Sequence, residues 1–306
     1  MKKIFIVNPS AGARNSEKDI QKKLIEKNIE DYEIYVTKCK GDATKYVSQR
    51  CEESNEDLLF ISCGGDGTLN EVASGCVGHP NAVLSVYPCG SGNDYIKYYG
   101  DKSYFLDFDK MLNGKEDKID IIKVGDRYAV NACHFGFDSK VAKTMTKVKY
   151  KKVIGGKNAY NTGVFVALMT AMKNKCRVIA DGEELNKKCI LLCTVTNGKY
   201  VGGSYKCAPR SKNNDGLMEV CCINPVSRFK FIKLINTYKN GLHLDDASLV
   251  NVLKYRQAKK VEIIAEKPDF PISLDGEIIE GSRFEVEILQ QAVRFLVPEG
   301  IEEAAE

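Results

Sequence analysis

Three glycine-rich segments in the first third of the chain are the residues best suited to binding phosphate. They occupy residues 8–12, 64–71 and 90–94. Glycine lets the backbone approach phosphate oxygens closely, and a helix that follows directs its free N–H groups at the anion. One such segment by itself is equally well explained as an ordinary tight turn. Three segments that each follow a predicted strand instead favour a polyphosphate site.

Asp66 indicates which polyphosphate chemistry the site serves. The sequence lacks the GxxxxGK[ST] pattern of P-loop enzymes, and Asn70 stands where a dinucleotide-binding fingerprint would have its third glycine. A carboxylate among phosphate-binding amides is repelled by the phosphates unless a cation lies between them. Asp66 therefore predicts that a nucleotide binds together with Mg²⁺ and that the chemistry is phosphoryl transfer.

Alternating strand and helix signals surround these segments. Such alternation predicts a parallel, doubly wound α/β sheet, whose ligands bind at the carboxyl ends of the strands. Each glycine-rich segment follows one strand, so the predicted fold brings the three segments to one edge. The predicted strands are 3–7, 32–36, 58–62 and 83–87, and the predicted helices begin near residues 16, 41 and 69.

The remainder of the chain shows short, closely spaced strands. Glycine, asparagine and proline separate these strands, which predicts an antiparallel sandwich or barrel. Two helices are predicted within this part, over 138–149 and 158–173. The predicted strands are 120–124, 127–132, 175–180, 189–196, 217–223, 259–264 and 283–288. We therefore predict an α/β nucleotide-binding domain over 1–125, a β-rich domain over 126–290, and a C-terminal segment over 291–306 that packs back on the first domain.

Composition argues against several classes of protein. The net charge is only +4, which favours neither a nucleic-acid nor a membrane partner, and we predict no nucleic acid. The 12 cysteines include no CxxC pair and are accompanied by only 3 histidines, which argues against a zinc site and a disulfide framework. We find no signal peptide and no apolar run near the roughly 20 residues of a membrane span. These features predict a cytosolic protein with reduced thiols.

The Gly-Gly-Asp-Gly-Thr motif at residues 64–68 resembles the kinase superfamily that includes diacylglycerol kinases, sphingosine kinases, NAD kinases and 6-phosphofructokinases. Further motifs resemble the soluble bacterial diacylglycerol-kinase-like lipid kinases, in the family's order along nearly the whole chain. Ser91 stands where threonine is usual. Residues 95–97 depart from the family's aromatic-Ala-Arg, which leaves lipid contacts near this loop open. The matching segments are 7–12, 88–94, 197–203, 208–209, 214–216 and 274–277.

The resemblance implies an ATP-dependent kinase that phosphorylates a hydroxyl of a membrane lipid, with diacylglycerol the leading substrate and phosphatidic acid the product. It implies that Asp66 and Asp94 serve the catalytic Mg²⁺. The residues implied to contact ATP are Asn8, Pro9, Ser10, Ala11, Gly12, Thr37, Gly64, Gly65, Asp66, Gly67, Thr68, Leu69, Asn70, Glu71, Gly90, Ser91, Gly92 and Asn93.

Glu277 is implied to be the general base that removes the proton of the lipid hydroxyl, which is a poor nucleophile at neutral pH. The β-rich domain would thus bind the lipid and supply the base. Asp275-Gly276 is also a strong β-turn signal, and the two interpretations hold together. Asp120 matches a family acid that links Glu277 to a structural metal through hydrogen bonds.

The structural metal of the family corresponds to Lys212, Asp215 and Leu217. The resemblance implies that its ligands are the Asp215 carboxylate and two backbone carbonyls, oxygen ligands that suit Mg²⁺. An ordinary surface turn explains the same Asn-Asn-Asp-Gly sequence as well.

A run of seven lysines without an acidic residue spans 140–157. A solvated face explains such a run as well as a function does. An enzyme whose substrate sits in an anionic bilayer gains from these charges, since a lysine near acidic lipids is worth about 1 kcal/mol. We therefore predict transient contact with an anionic bilayer, a cytoplasmic enzyme peripheral to the inner membrane surface, and consider a homodimer as its assembly.

Several alternatives remain open. Another lipid alcohol, such as phosphatidylglycerol or a sphingoid base, is compatible with the motifs, because pocket shape decides substrate choice. An NAD-kinase-like activity on a soluble nucleotide shares the 64–68 motif but requires neither the 90–94 loop as written nor Glu277 in its motif. A catalytically inactive nucleotide- or lipid-binding regulator would be expected to lack Asp66 or Glu277, and both are present.

Overall fold

The computed structural model describes residues 1–11, 16–90, 92–148 and 159–301. The chain divides into two compact units. One comprises Met1–Ile121 together with Leu289–Glu306, and the other comprises Ile122–Ile288. Among the described helices, none combines the length and the apolar character that crossing a bilayer requires.

A parallel sheet forms the centre of the first unit. The strands β1 (Lys2–Val7), β2 (Tyr32–Val36), β3 (Leu58–Gly64) and β4 (Ala82–Pro88) lie in the order β4-β3-β1-β2. Every residue of β3 and β4 is buried. Continuous burial of this kind is typical of a parallel sheet that is covered on both faces.

Helices cover the two faces of this sheet. Ile20 and Leu24 of α1 and Phe108 of α5 pack with Phe5 on one face. α3 packs on β3 and β4, and α2 packs on α3. The predicted doubly wound α/β fold is confirmed. The helices are α1 (Ser16–Glu26), α2 (Asp42–Glu52), α3 (Asp66–Cys76), α4 (Ser103–Leu106) and α5 (Phe108–Leu112).

The second unit is a sandwich of two antiparallel layers, as predicted. Phe135 and Val220 from the six-stranded layer meet Val178 and Ile263 from the other in one apolar core. β5 begins in the first unit and ends in the second. The strands that follow β4 along the chain are β5 (Lys115–Val124), β6 (Arg127–Ala129), β7 (Ala132–Gly136), β8 (Asn174–Ala180), β9 (Glu183–Glu184), β10 (Cys189–Ile190), β11 (Leu192–Thr196), β12 (Met218–Ile223), β13 (Leu253–Ala258), β14 (Lys260–Ala265), β15 (Phe270–Leu274), β16 (Glu277–Gly281) and β17 (Arg283–Val297).

The order of the six-stranded layer is β13-β12-β11-β7-β15-β16, and the other layer runs β10-β8-β14 and on to the first half of β17. The second half of β17 belongs to the first unit, where Arg294 pairs with Val83 of β4 in parallel. We predicted a strand only over 283–288. Gln291 adopts a positive φ of 51°, and this interruption of the strand conformation obscures the alternation that would have indicated its continuation.

Three helices of the second unit pack beyond the six-stranded layer: α6 (Phe137–Val148), α7 (Ala159–Thr170) and α8 (Arg228–Lys239). Phe137, Ala167 and Phe231 bury against Leu192 of β11 in a second apolar cluster. The sequence had predicted α6 and α7 but not α8. A signal for α8 was present in Ser227, whose side chain accepts the N–H of Lys230 at 3.2 Å as an N-cap.

Candidate active site

The three glycine-rich segments meet at the carboxyl edge of the first unit's sheet, because they follow the adjacent strands β1, β3 and β4. Asn8 ties the first segment to the second. Its N–H donates to the carbonyl of Cys63 at 3.1 Å, and its Nδ2 donates to Oγ1 of Thr68 at 3.0 Å. Its Oδ1 accepts the N–H of Ser10 at 2.9 Å, which shapes the first loop.

The second and third loops touch through their backbones. The carbonyl of Gly64 accepts the N–H groups of Cys89 and Gly90 at 2.9 and 3.0 Å. A Cβ on Gly90 would lie 2.4 Å from Cα of Gly65. Any residue other than glycine would therefore clash with the backbone of the second loop. α3 begins directly after this contact, at Asp66. A helix N-terminus and two close-packed glycine loops are a suitable environment for phosphate oxygens.

Asp66 and Asp94 come together at the same edge. Oδ1 of Asp66 accepts the backbone N–H of Asp94 at 2.6 Å. Burial, together with the nearby charge of Asp94, raises the pKa of the Asp66 carboxyl above its ordinary value. Asp94 is only 8% exposed, and its Oδ1 lies 2.5 Å from Nζ of Lys97. Two carboxylates held close in a partly desolvated place suit a cation that contacts both, in addition to the Lys97 ammonium beside Asp94.

The donor set at this edge fits Mg²⁺, which prefers carboxylate oxygens, water and nucleotide phosphates. No group of three or more acidic, histidine or cysteine side chains forms a metal cage within the described ranges. A magnesium ion at Asp66 and Asp94 would therefore take its other ligands from the nucleotide and from water.

The remaining residues of the predicted ATP site have different placements. Thr37 directly follows β2, and its N–H donates to the carbonyl of Val7 at 2.9 Å. Thr68, Leu69 and Asn70 lie on α3 with most of their surface buried. Glu71 is the partly buried next residue of the helix. Gly12 and Ser91 lie outside the described residues.

The flanking residues of the loops are more open. Pro9, Ser10 and Gly67 are exposed, and Ala11 is partly exposed. The third loop is closed by Asn93, whose Nδ2 donates to the carbonyl of Gly90 at 2.6 Å. In the same loop, a Cβ on Gly92 would meet Oδ2 of Asp66 at 2.7 Å.

The hairpin that carries Glu277 is fixed by the aspartate two positions before it. Asp275 and Gly276 join β15 to β16 with φ values of +45° and +91°, the signature of a type I′ turn. The Asp275 carboxylate accepts the N–H groups of Val130 at 2.7 Å and of Ala132 at 2.8 Å. It also accepts the N–H of Asn131 at 3.2 Å. The turn is therefore held rigidly against the start of β7.

Glu277 is the first residue of β16, and its side chain is 28% exposed. Its Oε2 lies 3.7 Å from Nη1 of Arg127 on β6. Solvent access combined with a rigid supporting turn suits a carboxylate whose task is to accept a proton.

Asn131 and Asn197 extend the support around the hairpin. Nδ2 of Asn131 donates to the carbonyl of Tyr200 at 2.9 Å, and Nδ2 of Asn197 donates to the carbonyl of Val130 at 3.0 Å. Sequence reasoning missed the supporting roles of Asp275 and Asn131. Asp275 carried a signal, since an aspartate in a turn commonly accepts backbone N–H groups, whereas nothing local singled out Asn131.

The residues predicted to hold a structural metal lie on a turn. Oδ1 of Asp215 accepts the N–H of Leu217 at 3.0 Å, and Lys212 is exposed. A metal at this turn stays a prediction. Asp120 is fully buried, and its Oδ1 accepts the N–H of Gln291 at 2.6 Å. Its predicted hydrogen-bond link to Glu277 and the metal also stays a prediction.

Comparison with known proteins identifies the family of this chain. Residues 131–297, more than half of the chain, match the family described as the YegS C-terminal NAD kinase beta sandwich-like domain. The chain belongs to this family. Residues 2–124 match the diacylglycerol kinase catalytic domain. The two matches confirm the resemblance to diacylglycerol-kinase-like lipid kinases, and the protein is a kinase of that family, which implies ATP as its phosphoryl donor.

Proteins named as diacylglycerol kinases or lipid kinases match most of the chain. A diacylglycerol kinase from Bacillus subtilis (strain 168) is 29% identical over 280 residues, covering 89% of this chain and 88% of that protein. A Serratia proteamaculans (strain 568) protein named "Probable lipid kinase YegS-like" is 27% identical over 308 residues, which cover 98% of this chain and 95% of that protein. The crystal structure of a diacylglycerol kinase from Bacillus anthracis str. Sterne has a TM-score of 0.72 at 21% identity, over 98% of each chain. It shows the same fold.

Proposed function

We propose that the protein transfers the γ-phosphoryl group of ATP to the free hydroxyl of diacylglycerol and produces phosphatidic acid. The observation that carries this proposal is the placement of Glu277 directly after a turn whose Asp275 carboxylate accepts three backbone N–H groups, in a family of lipid kinases. Relatives named diacylglycerol kinase support the choice of lipid.

In the proposed reaction each unit contributes one part. In the first unit the loops around Gly65 and Gly90 bind the phosphates. Mg²⁺ at Asp66 and Asp94 would neutralise charge on the transferred group. In the second unit Glu277 accepts the hydroxyl proton. The hydroxyl oxygen then forms a bond to the γ-phosphorus while the bond from that phosphorus to the bridging oxygen breaks, which leaves ADP.

A kinase of another lipid alcohol is the second candidate. The relative named "Probable lipid kinase YegS-like" favours a lipid without specifying it. Lys97 also bears on the choice, because the Tyr-Ile-Lys segment next to Asp94 departs from the family's aromatic-Ala-Arg. A lipid that contacts this loop would meet a different side chain in this protein.

The test is incubation with γ-labelled ATP and Mg²⁺ together with candidate acceptors. The panel comprises diacylglycerol, phosphatidylglycerol and sphingosine in mixed micelles, with NAD and glycerol in solution. We expect label in phosphatidic acid and its loss in the Glu277→Gln variant. Label on phosphatidylglycerol or sphingosine alone would establish the second candidate. Label on NAD or glycerol and on no lipid would refute lipid phosphorylation.

A further inference from the structure

Two helices of the second unit expose large apolar side chains. On α7, Phe165 is 66% exposed and Met169 is 58% exposed. On α8, Phe229 is 69% exposed and Ile232 is 60% exposed. The spacing of each pair, four residues on α7 and three on α8, places its members on one side of their helix.

Arg228 links the two helices that carry these pairs. Its Nε donates to the carbonyl of Leu168 at 2.7 Å, and its Nη2 donates to the carbonyl of Met169 at 3.2 Å. The end of α7 therefore lies against the beginning of α8. We name the surface formed by Phe165, Met169, Phe229 and Ile232 the α7–α8 patch.

The composition of α7 explains why this exposure is unusual. All residues from Gly163 to Met169 are apolar. Ala167 is buried in the apolar cluster beneath the helix, and Val164 and Leu168 pack against that cluster. A helix that is apolar on all sides is normally covered on all sides. Contiguous exposed apolar surface marks a site that contacts a membrane or another protein.

The charge around the patch favours an anionic occupant. The sequence has no aspartate or glutamate over 139–180 or over 220–244. Lys173 and Lys233 are exposed, and Nζ of Lys233 lies 4.4 Å from the ring centroid of Phe229. Lys230 lies on α8 between Phe229 and Ile232. Apolar side chains surrounded by basic ones match a bilayer with acidic headgroups, whose interior accepts the former and whose surface attracts the latter.

We propose that the α7–α8 patch is the surface by which this enzyme docks on anionic bilayers. The proposal rests on the proposed function, since a kinase of diacylglycerol must meet its substrate in a membrane. It assigns the contact to residues outside the lysine run at 140–157. Within that run Lys143 forms an ion pair with Glu280, whereas Lys149, Lys151, Lys152 and Lys157 lie outside the described residues.

The decisive variant replaces the four patch side chains together, Phe165→Gln, Met169→Gln, Phe229→Gln and Ile232→Gln. We expect its affinity for phosphatidylcholine vesicles that contain phosphatidylglycerol to fall by about tenfold or more in co-sedimentation. Activity on a short-chain, water-soluble diacylglycerol should be retained. The matched control is Ile25→Gln, which replaces an apolar side chain that is 63% exposed on α1 and should leave binding unchanged.

The charge contribution is tested separately with Lys230→Gln and Lys233→Gln together. Lys22→Gln with Lys260→Gln changes the net charge equally, at lysines that pair with Glu26 and Glu285. Only the first pair should weaken binding and reduce its salt dependence. These variants keep the proposal testable if the quadruple variant does not fold.

Three outcomes bear on the assignment. Unchanged vesicle binding by both patch variants would overturn it. A wild-type dimer that the quadruple variant dissociates, with vesicle binding unaltered, would assign the patch to a second copy of the chain. If no lipid is phosphorylated by the wild type, the proposed function fails, and the vesicle comparison still decides whether the patch binds membranes.

Discussion

Asp275 and Glu277 stand two positions apart on one hairpin, yet their carboxylates have different partners. Asp275 accepts three backbone N–H groups, while Glu277 remains partly exposed beside Arg127. In the first unit, burial of the side chain and the nearby charge of Asp94 raise the pKa of the Asp66 carboxyl. At the scale of single residues, the surroundings of each carboxylate separate a structural acid from acids suited to a base or a metal.

Glu277→Gln should lower turnover by about 10²- to 10⁴-fold, the usual contribution of a general base. Glutamine keeps the shape of the side chain and cannot accept the proton, so the KM for ATP should change little. Steady-state kinetics in mixed micelles measure both quantities. Glu280→Gln, on the same strand and paired with Lys143, is the matched control. Equal activity in the two variants would remove Glu277 from the mechanism.

Asp138, in the first turn of α6, predicts a dependence of stability on pH. Burial raises its pKa from 3.8 to about 7, so the folded state retains a proton that the unfolded state releases. The contribution of Asp138 to the free energy of unfolding is fully present below about pH 4, and it is lost as the pH rises towards 7. Asp138→Asn should therefore melt higher than the wild type. The gain in unfolding free energy should grow from pH 4 to 7, to about 2–4 kcal/mol, and then level off.

Melting curves from pH 4 to 8 measure this gain, with the exposed Asp126→Asn as the control. A constant difference between Asp138→Asn and the wild type at all pH values would contradict the prediction.

At the scale of elements, the predicted active-site residues lie where a strand ends or begins. The glycine-rich loops follow β1, β3 and β4, and Glu277 is the first residue of β16, immediately after its turn. The register of β15 with β16, in which Leu274 pairs with Glu277, leaves only Asp275 and Gly276 in the connection. Both adopt positive φ, so the position of the Glu277 side chain depends on the conformation of a two-residue loop.

Removing the carboxylate that anchors this loop should affect stability and turnover together. Asp275→Ala leaves three backbone N–H groups without their charged acceptor. The free energy of unfolding should fall by about 2–4 kcal/mol, and kcat should fall because Glu277 is less well positioned. Asp275→Asn retains one acceptor oxygen, so its free energy of unfolding and its kcat should lie between those of the wild type and of Asp275→Ala. Chemical denaturation and steady-state kinetics check both effects.

The control for this hairpin is Asp269→Ala, an exposed aspartate just before β15, which should match the wild type. A stable Asp275→Ala variant with normal turnover would show that the three hydrogen bonds do not position Glu277.

At the scale of the whole molecule, the predicted functional residues are divided between the two units. The residues predicted to bind the nucleotide lie in the first unit, and Glu277 and the α7–α8 patch lie in the second. Nucleotide binding should therefore be measurable without any lipid, through the stability of the folded protein.

Mg²⁺ with ATP should raise the melting temperature of the wild type. The stabilisation is about 2.7 kcal/mol when the ligand is at about 100 times its Kd. Asp66→Asn should lose the part of this shift that requires Mg²⁺. Without ligand it should be at least as stable as the wild type near neutral pH. An acid whose pKa is raised in the folded state loses stability as pH rises, and asparagine has no such charge.

Thermal unfolding with ATP, with and without Mg²⁺ and EDTA, measures these shifts, and Asp31→Asn in an exposed turn is the control. A full Mg²⁺-dependent shift in Asp66→Asn would exclude Asp66 as a site for the cation.

Much of the architecture was predictable because it rests on local signals. The buried strands β1, β3 and β4 are short apolar runs followed by glycine, and each was predicted to within a few residues. α8 and the second half of β17 were missed for different reasons. Apolar residues occur on both sides of α8, including the exposed Phe229 and Ile232, which blurs its helical period. In β17, Gln291 interrupts the alternation.

The sequence by itself determined the glycine-rich loops, the aspartate within them and the turn before Glu277, because these depend on residue types a few positions apart. Only the tertiary structure decided that Asp275 binds N–H groups about 145 positions away and that Gly90 touches Gly65. It also decided that α7 and α8, whose ends lie together, each expose large apolar side chains. Such contacts arise from strand order and helix packing, which join segments that no local pattern relates.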